Sequence, residues 1–140
     1  MRASRKLCIV FLVHAETSVR DFIEKTLQDH GALVFSASNA GSALQFLRGY
    51  RDDVHLVLVD RHLPGANGLE LADAIARERP NTRVVLMTDA MKDEALVEWR
   101  GRLLKKPLHA AALKMQIELA LDAMPCDLLP SKIRVSEVGQ

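Results

Sequence analysis

Short apolar runs alternate with amphipathic stretches along most of the chain. Five runs are rich in β-branched and aliphatic residues, which is typical of strands buried on both faces of a parallel sheet. They predict strands over residues 6–13, 32–36, 54–59, 83–87 and 102–105. Helices are predicted between residues 17 and 31, from 39 to 49, from 68 to 78, from 92 to 99 and from 109 to 123. This alternation predicts an α/β fold with a five-stranded, doubly wound parallel sheet of the (βα)5 flavodoxin-like type.

The first predicted helix has the clearest amphipathic pattern. Thr17 or Ser18 is the expected N-terminal cap, since a hydroxyl can accept a hydrogen bond from a free backbone amide there. An apolar stripe follows at the spacing of one helix face, and we expect it to point inward. Its residues are Val19, Phe22, Ile23, Thr26 and Leu27.

The length and the charge of the chain exclude several classes of protein. Its 140 residues are about one domain's worth. The net charge of +1 gives no general affinity for nucleic acid or acidic membranes, and no basic stripe or helix-turn-helix pattern is present. No apolar run reaches the length of a membrane helix. The pattern fades after Pro125, so we predict a domain over residues 1–124 and a tail or linker over 125–140, which an output domain could follow in a longer parent chain.

The two cysteines, Cys8 and Cys126, do not form the framework of a disulfide-rich protein, and a cytoplasmic location is expected. One feature favours secretion instead. Basic residues precede the apolar run 7–13, which is the outline of a signal peptide. The same run supplies the first predicted strand, however, so cleavage would remove part of the core.

Three polar side chains fall at the carboxyl ends of predicted strands. Asp60 follows the most apolar strand, Thr88 follows the fourth and Lys106 follows the fifth. In open α/β sheets, ligands and chemistry lie at this edge. Taken singly, Asp60 could be a turn residue, Thr88 a cap and Lys106 a solvated lysine. Together they place an acid, a hydroxyl and an amine side by side, a set suited to phosphoryl transfer because cations neutralise the charge on the moving group.

Three segments resemble the receiver domain of two-component response regulators. They are LVDRHLPGANG over residues 58–68, VLMTD over 85–89 and KKPL over 105–108, and the resemblance covers roughly residues 6–123. It implies a CheY-like fold and a role in phosphorelay signal transduction rather than enzymatic turnover. It also implies that Asp60 accepts a phosphoryl group from a histidine kinase or phosphotransfer protein. Thr88 would then bond the phosphate, and Lys106 would pair with the phosphate or with the free acid.

The resemblance also implies a magnesium ion near Asp60, with His62 and Glu16 as further candidate ligands. Members of the family usually carry two adjacent acids after the first strand, and His14 and Ala15 occupy those positions here. Mg²⁺ prefers oxygen ligands, whereas a histidine suits zinc, copper or nickel better. We therefore expect impaired magnesium-dependent chemistry at Asp60.

The surface that changes on phosphorylation in the family also differs here. Leu103 stands where the family usually has an aromatic residue, and the segment from Thr88 to Lys106 is short. By resemblance, partners and a homodimer are expected at the face formed by the fourth helix, fifth strand and fifth helix.

Two alternatives stay open. One is a phosphorylation-independent interaction module. The other is a small flavodoxin-like enzyme or phosphatase. A phosphatase of the haloacid dehalogenase type would need an acid in place of His62, and a flavin site would need more hydroxyls after the first strand than Thr17 and Ser18.

Overall fold

A computed structural model describes residues 7–89, 99, 102–106 and 108–123. The strands are β1 (Cys8–Val13), β2 (Ala32–Ala37), β3 (Leu56–Asp60), β4 (His62–Leu63), β5 (Ala66–Asn67), β6 (Arg83–Thr88) and β7 (Arg102–Lys105). The helices are α1 (Thr17–Asp29), α2 (Ala40–Gly49), α3 (Gly68–Glu78) and α4 (Ala110–Ala123). Two predicted segments lie outside the described residues: the helix over 92–99, except for Trp99, and the tail over 125–140.

Five parallel strands form the main sheet in the order β2-β1-β3-β6-β7. The chain therefore winds outward in both directions from β1, and the predicted doubly wound sheet is confirmed. The order reverses between β1 and β3, so the crevice at their carboxyl ends is the point where such folds bind ligands. Asp60, the last residue of β3, stands at this crevice.

The sheet has one apolar core on each face. Every residue of β3 is buried, which explains its uninterrupted apolar sequence. Phe11 and Val57 face one core with Leu47 of α2, whereas Leu12 and Leu58 face the other. A large apolar side chain that is fully buried contributes about 1.5–3 kcal/mol relative to an exposed one. This strand therefore places the acid at the end of a fully buried segment of the fold.

The first helix differs from its prediction at two points. Glu16 occupies the N-cap and its side chain makes no cap hydrogen bond, so the expected cap at Thr17 or Ser18 is wrong. Phe22 is 46% exposed, although the spacing assigned it to the inward stripe. Ile23 and Leu27 are fully buried. The predicted apolar stripe of α1 therefore faces the core, but the buried face of the helix is narrower than that stripe.

Candidate functional site

Three neighbouring strands bring the predicted polar residues to one edge of the sheet. Asp60 ends β3 and is paired with Met87, so Thr88 lies one residue further along β6. Thr88 in turn pairs with Lys105, and the Lys106 amide donates to the Thr88 carbonyl oxygen at 2.9 Å. Thr88 is completely buried. The alignment of these side chains follows from the parallel pairing of the strands.

The Asp60 carboxylate is buried between two nitrogen groups. Only 4% of the residue is exposed. Lys106 Nζ donates to Asp60 Oδ1 at 2.5 Å, and His14 Nε2 lies 3.7 Å from Asp60 Oδ2. A buried carboxylate is tolerated only when it is paired and hydrogen-bonded. Lys106 therefore satisfies the acid when no phosphoryl group is present.

His14 is buried and hydrogen-bonded in the loop after β1. It is 3% exposed, and its Nδ1 accepts a hydrogen bond from the Glu16 amide at 3.1 Å. Its carbonyl oxygen accepts from Arg20 Nη1 at 2.8 Å. Burial lowers the pKa of His14, and the opposing effect of the Asp60 carboxylate is smaller. We therefore assign the neutral form, with the proton on Nε2, because Nδ1 acts as an acceptor.

The loop after Asp60 packs α3 closely against the acid. Gly65, with φ of 66°, makes the turn of the small β4–β5 hairpin. Asn67 Oδ1 accepts from Arg61 Nη1 at 2.7 Å and from the Leu69 amide at 3.0 Å, which caps α3. A Cβ atom at Gly68 would lie 2.0 Å from the Asp60 carbonyl oxygen. This close approach at Gly68 was not predicted from the sequence, although a glycine at the first position of a helix is a signal for it.

The candidate metal ligands differ in burial. Glu16 and His62 are exposed, whereas Asp60 is buried. His62 Nε2 instead lies 4.0 Å from Asp89 Oδ1. Within the described ranges, no three histidine, cysteine or acidic side chains are arranged to hold a metal ion. The set of Asp60, His62 and Glu16 expected from the sequence stays a prediction, with the side chains of two of its members exposed.

A cavity of about 330 Å³ lies against His14 and Lys106, the two side chains beside Asp60. It combines polar groups beside Asp60 with apolar side chains of α1 and of the segment before α4. It is lined by His14, Glu16, Ser18, Val19, Phe22, Lys106 and Leu108. The partial exposure of Phe22 is explained by its position on this wall.

The family model for the response regulator receiver domain matches residues 10–118. The chain belongs to this family. A putative two-component response regulator of Arabidopsis thaliana, ARR21, is 29% identical over 114 residues, covering 80% of this chain and 19% of that protein. The aerobic respiration control protein ArcA of Escherichia coli is 33% identical over 79 residues, covering 56% of this chain and 32% of that protein. This receiver domain thus spans a fifth to a third of the length of these curated relatives.

Solved receiver domains have the same fold. The receiver domain of NtrX from Brucella abortus superimposes with a TM-score of 0.71 at 30% identity, covering 81% of this chain and 98% of that one. A CheY-like receiver domain protein from Methanospirillum hungatei gives 0.74 at 24% identity, covering 84% and 95%. The predicted family and the predicted CheY-like fold are therefore confirmed.

The family fixes the general role of the chain. It is a receiver domain of two-component signalling, and such domains generally bind Mg²⁺ and interact with histidine kinases or phosphotransfer proteins. They are generally not enzymes, although they accept a phosphoryl group. No helix among the described residues is long and apolar enough to cross a membrane.

Proposed function

We propose that this receiver domain takes a phosphoryl group onto Asp60 from a histidine kinase or phosphotransfer protein, and that its Mg²⁺-dependent chemistry is impaired. The observation that carries the proposal is the Asp60–Lys106 contact of 2.5 Å at the carboxyl end of a fully buried strand. Lys106 places a positive charge where the phosphoryl oxygens would arrive, and phosphoryl transfer depends mainly on such positioning and neutralisation. Thr88, buried at the end of β6, is the proposed hydroxyl partner of the phosphate.

The poor fit to Mg²⁺ follows from the donor set around Asp60. Magnesium is usually held by one or two carboxylates together with water and phosphate oxygens. Ala15 offers no side-chain ligand, His14 presents a protonated nitrogen, and Glu16 lies on the exposed rim. One carboxylate that is already paired with Lys106 is a weak magnesium site. The proposal is therefore an acceptor with intact acid, hydroxyl and amine groups and a degenerate metal pocket.

Intact mass spectrometry after incubation with acetyl phosphate tests the acceptor. We expect an adduct of one phosphoryl group in the wild-type domain and none in Asp60→Asn. Asp89→Asn is the matched control, since Asp89 follows the neighbouring strand but its side chain is 67% exposed. An adduct that survives in Asp60→Asn, or one that disappears in Asp89→Asn, would contradict the assignment of Asp60.

The second candidate is a phosphorylation-independent interaction module. It is favoured by the same contact, because Lys106 already pairs with Asp60. Such a pair would hold the domain in one state. Leu103, half-buried in β7, also lacks the ring whose movement reports phosphorylation in the family. A folded wild-type domain that forms no adduct with acetyl phosphate or with a phosphorylated partner would favour this module.

Homodimerisation through α4 and β7 is part of the proposal. The exposed side of α4 carries two large apolar side chains one turn apart, Met115 and Leu119, which are 52% and 39% exposed. We expect Met115→Lys to shift sedimentation toward monomer. Leu33→Lys is the control, because Leu33 is similarly exposed but lies on β2 at the opposite edge of the sheet. A wild-type monomer at high concentration would refute the dimer.

The remaining parts of the proposal follow the family. We propose that residues 1–124 form the receiver module and that 125–140 form a tail or linker, in a protein located in the cytoplasm. The kinase partner is proposed to approach over the cavity beside α1, since His14 and Lys106 line both this cavity and the acceptor.

A further inference from the structure

His14 presents a buried hydrogen-bond donor to the acceptor carboxylate. Its Nδ1 is occupied by the Glu16 amide, so its proton lies on Nε2. Nε2 is inaccessible to solvent and has no hydrogen-bond partner. Its distance of 3.7 Å from Asp60 Oδ2 is too long for a hydrogen bond. Buried polar groups in folded proteins are nearly always paired, so an unpaired donor aimed at a reactive acid calls for a functional explanation.

The missing acceptor matches the product of the proposed reaction. A phosphoryl group brings strongly accepting oxygens to the acid that carries it. Lys106 is bound to Oδ1, whereas His14 faces the other oxygen, Oδ2. The acid is thus bracketed by two donors on opposite sides. Both also line the cavity through which a donor molecule would arrive.

We propose that His14 is a catalytic residue that takes over charge stabilisation from the metal ion when Asp60 is phosphorylated. This inference rests on the proposed function. A carboxylate oxygen of Asp60 attacks the phosphorus of an acyl phosphate, and the new O–P bond forms as the bond between phosphorus and the acyl oxygen breaks. The electron pair leaves with the acyl carboxylate. No proton is transferred, because His14 Nε2–H and the Lys106 ammonium donate hydrogen bonds to phosphoryl oxygens and keep their protons.

The test compares the rate of adduct formation with acetyl phosphate in Mg²⁺ and in EDTA. We expect the wild-type rates to agree within about twofold. His14→Phe keeps an aromatic ring but removes the donor, and the rate in EDTA should fall about 100-fold, the typical effect of losing one donor to a developing oxyanion. His14→Asp restores a carboxylate at this position and should make the reaction at least tenfold faster with Mg²⁺ than with EDTA. His109→Phe is the control, because His109 is an exposed histidine just before α4.

The outcomes separate this inference from the proposed function. No wild-type adduct in either buffer would refute both. A wild-type adduct that needs Mg²⁺, or an unchanged rate in His14→Phe, would refute the role of His14 and leave Asp60 as the acceptor. A readout that needs no variant is ¹⁹F NMR of the wild-type domain with beryllium fluoride, which mimics the phosphoryl group. We expect a bound signal in buffer freed of magnesium by a chelating resin, without EDTA because EDTA would bind the beryllium. A signal that appears only with Mg²⁺ would overturn the inference.

Discussion

Gly68 provides a direct test of how closely α3 approaches the acceptor. An added Cβ would lie 2.0 Å from the Asp60 carbonyl oxygen and 2.8 Å from both Cα and the carbonyl oxygen of Arg61. Carbon and oxygen atoms approach to about 3.3 Å in folded proteins. The start of α3 and the end of β3 would therefore have to separate by roughly 1.3 Å in Gly68→Ala. All three contacts are with backbone, so no rotamer change relieves them.

The expected loss is larger than the gain in helix propensity. Overpacking costs about 1–3 kcal/mol, and backbone clashes belong at the upper end of that range. The higher helix propensity of alanine relative to glycine offsets at most about 1 kcal/mol of this loss. We expect Gly68→Ala to lower the free energy of unfolding by about 2 kcal/mol, or the melting temperature by about 6 °C. Urea titration and thermal melts followed by circular dichroism would measure both quantities.

Gly41→Ala is the matched control for this substitution. Gly41 also lies in the first turn of a helix, but its Cβ would meet only Asn39 Oδ1, at an ordinary 3.5 Å. This variant should be neutral or more stable by about 0.5–1 kcal/mol. If Gly68→Ala were as stable as Gly41→Ala, the close packing of α3 on Asp60 would be refuted.

Three further predictions concern the acceptor and a helix cap. Lys106→Met should lower the free energy of unfolding by about 2 kcal/mol, less than for a fully buried pair because the Lys106 side chain is 25% exposed, and the loss should shrink in Asp60→Asn. Equal losses in the two backgrounds of this double-mutant cycle would contradict the pairing. His14 stays neutral in the fold because its pKa is lowered, while the unfolded chain binds a proton near the ordinary value of 6.5. Stability should therefore be full above pH 6.5 and fall below it, by up to about 1.4 kcal/mol per pH unit, and urea titrations of His14→Gln should show a shallower slope. Asn39→Ala removes the acceptor for the Ser42 amide at 2.8 Å and should cost about 1 kcal/mol, whereas Asn39→Ser should cost little; equal thermal melts of the two variants would argue against the cap.

The strand pattern predicted the fold well because burial in this sheet is nearly uniform along each central strand. The run before Asp60 is apolar since both faces of β3 are covered, and such a run identifies a central strand without tertiary information. The predicted end of the third strand placed Asp60 at the carboxyl edge of the sheet. The predicted end of the fifth strand, which is β7, placed Lys106 there as well. The helix over Gly68–Glu78 was predicted with both boundaries correct.

The details of the pocket were not predictable because they depend on distances between residues far apart in sequence. The sequence suggested His14 as a borderline metal ligand, and only the structure shows that the Glu16 amide binds its Nδ1. The inward face of α1 was predicted too wide, since periodicity gives the direction of a stripe but not the space beside it. Phe22 belongs to the predicted stripe, but it is partly exposed because it lies on the wall of the cavity.

The charge around the acceptor is changed by the two departures from the family after β1, His14 and Ala15. A receiver pocket with three carboxylates and one lysine has an excess of negative charge, which a divalent cation can balance. In this chain, Asp60 pairs with Lys106 and burial lowers the pKa of His14, so we expect the charge of the resting pocket to be balanced without a metal ion. The arriving phosphoryl group then supplies the uncompensated charge, and Lys106 and His14 Nε2 both lie beside the acid that receives it. The rate of phosphorylation at such a site should depend more on Lys106 and His14 than on the magnesium concentration. Restoring an acid with His14→Asp should make the rate depend more on magnesium.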